Sequence, residues 1–235
     1  MDFLSKSIII FSLTVTGCSG LLPQHALNQS ELFVERGNKY LSLSEIYLAR
    51  ESYKLALQYN SENHRAWLGL GTLHSYDDAD KALIFYRKVI SLKHDNVEAL
   101  TNMGAIYLRK GMIKKARKFT LYALTFNPGK FEANYNMCLI EIISKNWKSA
   151  LTFSRKIYVI RKTHQTKELL DYTLLMAGEI KNKTPDLMEP SSVFGYLIFH
   201  QYLKGIGREE EAEKIIEFAK KKFGKTMIMK SGIFR

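Results

Sequence analysis

Six histidines, two cysteines and 23 acidic residues are the groups from which a catalytic or metal site would have to be assembled. His25, His64, His74, His94, His164 and His200 never pair four residues apart, and neither a His-Glu-x-x-His run nor a paired-cysteine motif occurs. The spacing that brings two imidazoles or thiolates onto one ion is therefore absent, and no metal site is expected. Gly69-Leu70-Gly71 begins like a dinucleotide fingerprint but lacks its remainder, so close helix packing explains it better. There is no Gly-x-Ser-x-Gly elbow. Asp77, Asp78 and Asp80 crowd one turn without the oxygen count of a calcium loop, and read as a solvated acidic turn. These residues predict a chain with no catalytic residue, no metal and no cofactor: a binding protein and not an enzyme.

The elements that would position a binding surface follow from composition and period. The chain has 235 residues, ample for a core, with 46% hydrophobic content, four prolines and a formal charge of +12. Few runs alternate in the manner of strands, which favours helices. Cys18 and Cys138 are too few for a disulfide framework.

The first residues read as an address. An apolar run from Ile8 to Val15 follows Lys6. It is too short to span a bilayer, which needs about 20 residues, and has the length of a secretory core. Val15-Thr16-Gly17-Cys18 resembles the lipobox of bacterial lipoproteins, and an ordinary signal peptide is the alternative. The resemblance implies that residues 1–17 are removed and that Cys18 is acylated. With Ser19 next, it also implies an anchor in the outer membrane facing the periplasm. Residues 18–29 then form a lipidated tether. A chain exported in this way meets no chromosome, so nucleic acid is not expected as a partner. Cys138, unpaired in an oxidising compartment, is expected to be buried.

From residue 30 the sequence repeats itself. Gly37, Gly71, Gly104 and Cys138 are spaced by 34, 33 and 34; Ala49, Ala82, Ala116 and Ala150 by 33, 34 and 34. Ala56, Val89, Ala123 and Ile157 keep the same period. Trp67, Leu70 and Gly71, and then Leu100, Met103, Gly104, Tyr107, Gly111, Ala116, Ala123 and Pro128, carry the pattern further. The period and these residues resemble the tetratricopeptide repeat (TPR), a helix–turn–helix unit of 34 residues. The resemblance implies an all-α solenoid in which small residues, such as Gly104 facing Ala116, let antiparallel helices approach. Large residues such as Trp67, Tyr53, Tyr86 and Tyr107 would fill the spaces between. Four repeats are expected over 30–164, with first helices at 31–43, 64–76, 97–110 and 131–144. Second helices are expected at 47–60, 79–93, 113–126 and 147–161. The second copy is one residue short at Ser75-Tyr76-Asp77-Asp78. A lone helix at 165–181 and a linker to 192 come next. A degenerate capping pair (193–204 and 208–222) and a basic tail from 223 to 235 complete the layout.

In this family the groove is lined by set positions of each first helix. Mapped here, they are Asn38 and Leu41, then Arg65, Leu68, Thr72 and Tyr76, then Thr101, Ala105, Leu108 and Arg109, then Tyr135, Leu139, Ile142 and Ile143. Such an apolar trough with two arginines and two tyrosines suits a peptide or an amphipathic helix. Leu139, Ile142 and Ile143 also read simply as packing for the helix at 165–181. Leu68, Thr72 and Glu132 stand where the carboxylate-clamp subgroup needs lysine and asparagine, so binding of chaperone tails is not implied. From Arg109 to Lys162 there are thirteen basic residues against two acidic. Lys114, Lys115, Lys118, Arg155 and Lys156 fall on second helices, the convex back. This is either a solvated face or a docking surface for anionic lipid or an acidic partner.

In length and layout the chain looks like envelope lipoproteins of pilus assembly, the TadD type of the tight-adherence (Flp) pilus or the PilF/PilW pilotin type. That implies a protein partner, either a secretin or a pilus-assembly component, and membrane attachment through the lipid. An adaptor for peptidoglycan enzymes of the NlpI type fits the same layout, and the oligomeric state stays open.

Overall fold

The computed structural model describes residues 23–179, 190 and 192–223. The leader, Cys18, most of the 182–192 linker and the tail beyond Phe223 lie outside the described residues. Within them the chain is all-helical, with eleven helices and no strand. Four antiparallel pairs come first. They are α1 (Gln24–Ser42) with α2 (Ile46–Tyr59), α3 (His64–His74) with α4 (Ala79–Leu92), α5 (Val97–Arg109) with α6 (Ile113–Phe126), and α7 (Phe131–Ile143) with α8 (Trp147–Ile160). Each second helix packs on the first helix of the following pair, so the pairs stack into a tetratricopeptide solenoid. Next, α9 (His164–Met176) lies against both α8 and α10 (Val193–Gly205), and α10 pairs with α11 (Glu209–Phe223). Helix α9 starts on a capping box between Thr163 and Thr166.

The periodic residues are the core. Ala49, Ala82, Ala116 and Ala150, with Ala56, Val89, Ala123 and Ile157, are completely buried. The approach of paired helices rests on a narrower contact. A Cβ on Gly37 would fall 2.6 Å from the Tyr53 ring, and one on Gly69, in the next repeat, 2.4 Å from the same ring. Tyr53 is thus clamped between the first helices of two repeats, and its hydroxyl donates to Asn38 at 2.7 Å. Gly71 receives the Tyr86 ring in the same way. Gly104 is met by Thr120, with Oγ1 2.3 Å from an added Cβ, so the expected facing of Gly104 and Ala116 is corrected by one helical turn.

Three boundaries differ from expectation. Helix α1 begins at Gln24, so residues 24–29 are helical and the proposed tether cannot run to 29. Helix α3 ends at His74, two residues early, because the shortened turn leaves no room for more. The turns of the first, third and fourth pairs pass through left-handed Ser44, Gly111 and Lys145. The second instead starts α4 directly on Asp78, whose carboxylate accepts from Lys81 N at 3.0 Å. The lone helix ends at Met176 and not at 181.

Gly69→Leu tests the clamp. Overpacking costs about 1–3 kcal/mol, more than the ~1 kcal/mol that leucine gains in helix propensity. The thermal midpoint should fall by several degrees. Gly205→Ala, where an added Cβ meets nothing, should leave it equal or higher. Equal midpoints for Gly69→Leu and the parent chain would contradict the clamp.

Candidate binding groove

The first helices present their exposed edges side by side, and polar side chains tie neighbouring repeats along them. Asn63 caps α3 and donates from Nδ2 to Ser30 Oγ (2.8 Å) and Glu31 Oε1 (2.9 Å). Arg65 pairs with Glu31, and Arg109 donates to the Ser75 carbonyl, each across 34 residues. Asn136 donates to the Thr101 carbonyl at 3.2 Å. These bonds link equivalent places in consecutive copies. Glu31, Asn63 and Asn136 were not singled out from sequence, although the repeat period itself pairs Glu31 with Arg65.

The expected groove residues divide into three groups. Asn38 and Arg65 are exposed but already engaged, with Tyr53 and Glu31 respectively. Leu68, Thr72, Ala105, Leu108, Tyr135, Leu139 and Ile143 are half-buried, their outer sides forming an apolar floor. Thr101 is only 3% exposed and spends its hydroxyl on Val97 O (2.7 Å), so it does not line the groove. Ile142 is buried in a cluster with Leu169 and Tyr172 of α9, and Leu139 packs on the same cluster. Burial raises the Tyr135 phenol pKa, which keeps it a neutral hydrogen-bond donor.

Tyr76 requires the largest correction. It was expected on the inner face of α3 but sits beyond the helix end, in the shortened turn, with 89% of its surface exposed. The Arg109 guanidinium lies 5.3 Å from its ring centre while also holding the Ser75 carbonyl. A cation from the next repeat thus favours this placement of an exposed ring by about 0.5–1 kcal/mol. At the base of that turn, His74 is 7% exposed, 5.7 Å from the Phe85 ring and 3.7 Å from Asp77. Burial first, and Lys81 second, lower its pKa from the ordinary value.

The acidic turn is used up internally. Asp78 caps α4, Asp77 faces His74, and Asp80 takes Lys110 at 2.6 Å. Among the described residues no three His, Cys, Asp or Glu side chains stand together as metal ligands would. No described helix is long and apolar enough to cross a membrane. Cys138 is buried, as expected, with its thiol pKa pushed up by burial and then by Glu141. On the second helices Lys114, Lys115, Lys118, Arg155 and Lys156 are all exposed. Lys115 lies over the Tyr107 ring, Lys156 over Phe153, and Arg155 pairs with Glu179.

The chain matches no family model. It is 30% identical over 110 residues to the BBSome complex member BBS4 of Bos taurus, a match covering 46% of this chain and 21% of that protein. The chain thus spans about a fifth of that relative's length. Among solved structures, Pseudomonas aeruginosa PilF superposes with a TM-score of 0.64 at 16% identity, over 84% of this chain and 93% of that one. PilW, described as a widely conserved type IV pilus biogenesis factor, gives 0.57 at 19% identity, over 83% and 92%. YrrB, described as a TPR protein with an unusual peptide-binding site, gives 0.53 at 15% identity, over 77% and 90%. At these identities the likeness is one of fold.

Because the folded chain resists protonating His74, the unfolded chain takes up that proton first as pH drops below about 6.5. Stability should therefore fall between neutral and mildly acidic pH, and His74→Gln should lose less over that interval. Unfolding midpoints at the two pH values measure this, and equal losses would contradict it.

Proposed function

We propose that this chain is a periplasmic scaffold, tethered to the outer membrane by a lipid on Cys18. In this reading its first-helix groove holds a segment of a secretin or another pilus-assembly protein during assembly. The observation that carries the reading is the rim at Tyr76 and Arg109. There a large, almost fully exposed aromatic lies against an arginine of the neighbouring repeat, and the first helices α3, α5 and α7 carry half-buried Leu68, Leu108 and Leu139. Rigid exposed aromatics and arginines beside apolar ground suit the capture of a peptide segment or an amphipathic helix. The fold's likeness to PilF and PilW, the peptide-binding site named for YrrB and the lipobox-like Val15–Cys18 support the same reading.

Such a tether would raise the effective concentration of two partners without any new contact. The groove's mixed character, with half-buried leucines on first helices that also carry the exposed Arg109 cation, fits a segment with one apolar and one polar side.

Two variants, expressed in the cell of origin, test this reading. Cys18→Ala should release the protein from detergent-extractable membrane into the soluble periplasm. Tyr76→Ala with Arg109→Ala removes one exposed cation–π contact and one hydrogen bond to the Ser75 carbonyl, so stability should fall by no more than about 2 kcal/mol with circular dichroism unchanged. It should nevertheless reduce surface pili and secretin multimers while pilin synthesis continues. Normal piliation in that strain, with altered cell-wall hydrolysis, would overturn the assembly role and favour the peptidoglycan adaptor.

A further inference from the structure

The solenoid sorts its charge by helix type. The second helices α4, α6 and α8 carry ten basic residues and one acidic, Asp80, which Lys110 occupies. The first helices α3, α5 and α7 carry two basic residues and three acidic. Second helices hold equivalent places in successive repeats, so their outward positions line one surface. Counted from the buried alanine of each helix, those positions recur: Ile84, Lys118 and Thr152 two residues on, and Arg87, Leu121 and Arg155 five on. Lys88, Tyr122 and Lys156 follow at six.

Two further properties of this surface bear on its partner. Glu141, the one acid between Lys130-Glu132 and Glu168, is buried beneath Arg117 and offers its charge to nothing outside. Among the described residues Lys88, Lys118 and Lys148 have no carboxylate at ion-pair distance. Bare apolar side chains also stand among these cations: Ile84 is 60% exposed and Val159 72%. The three arginines of this face are engaged internally, Arg87 with the Tyr107 hydroxyl, Arg117 with Glu141 and Arg155 with Glu179. The cations left over are flexible lysines interleaved with protruding aliphatic groups, which lack the fixed forks that would match a folded acidic protein. Such a face matches a headgroup layer, where anions are mobile and the aliphatic groups reach the acyl boundary.

We infer that the second-helix face formed by α4, α6 and α8 is a docking surface for an anionic lipid bilayer. The first-helix groove then faces away from the lipid. The inference is independent of both the lipid on Cys18 and the identity of any groove partner.

The test uses the full chain carrying Cys18→Ala, sedimented with vesicles of phosphatidylcholine alone or mixed with phosphatidylglycerol, at low and at high salt. All comparisons share that background, so any contribution of the apolar residues 8–15 is common to them. Binding should favour the anionic vesicles and weaken at high salt as the charges are screened. Lys88→Glu, Lys118→Glu and Lys148→Glu together should weaken it at least tenfold, with circular dichroism unchanged. Should that variant not fold, the corresponding glutamines should still weaken binding severalfold. Ile84→Ser with Val159→Ser should also weaken it, which a surface built only for an acidic protein would not show. Equal binding to both vesicle types, or undiminished binding by the lysine or the aliphatic variants, would overturn the inference.

Discussion

A tyrosine ring pressed against bare helix backbone sets the geometry of this molecule. Tyr53 is flanked by Gly37 in its own repeat and Gly69 in the next, and no side chain fits at either place. One ring therefore fixes the spacing within a pair and between pairs. Tyr86 repeats the arrangement at Gly71, where its hydroxyl meets Thr72 (3.5 Å) and Asn102 (3.1 Å). Farther along, the opposing residue shrinks to Thr120 and then Ser154, and the small position grows from Gly104 to Cys138. Burial holds the Tyr53 phenol neutral, with its pKa raised to about 12, so the ring can sit in the interior while its hydroxyl keeps a partner.

That constraint leaves the chain with two surfaces of different character. The interior positions are used up by alanine, glycine and aromatic packing, and what remains is the edge of the first helices and the back of the second. Along the edge, Arg65, Arg109 and Asn136 each reach to the preceding first helix or its end, so the groove is stitched by side chains as well as by packing. Along the back, charge accumulates with little internal neutralisation. This division separates a stitched edge from a basic back. It arises because helix pairs alternate, without any separate domain.

Much of this was legible because repetition multiplies a weak signal. The alanine and glycine series placed the helices to within two residues almost everywhere, since each small residue marks a contact that recurs. The errors lie where one copy departs from the rest. A deleted residue near Asp77 moved Tyr76 off its helix and onto the rim, a change that position-by-position mapping cannot register. Thr101 occupies a groove position but is buried, with its carbonyl accepting from Asn136 of α7. The pairing of Gly104 with Thr120 was missed although the residue four after each alanine forms its own series: Tyr53, Tyr86, Thr120 and Ser154. The start of α1 at Gln24 was hidden because residues 24–29 lie before the first repeat and carry no periodic mark.

A partner protein held in the first-helix groove, at the rim near Tyr76, would lie within reach of a reactive group at position 76. The most direct measurement places a photo-crosslinking amino acid at position 76, and separately at position 118 on the back, in living cells. A covalent adduct with a secretin or pilus-assembly subunit is expected from position 76, and no such adduct from position 118. An adduct with that subunit from position 118 alone would contradict this placement of the partner.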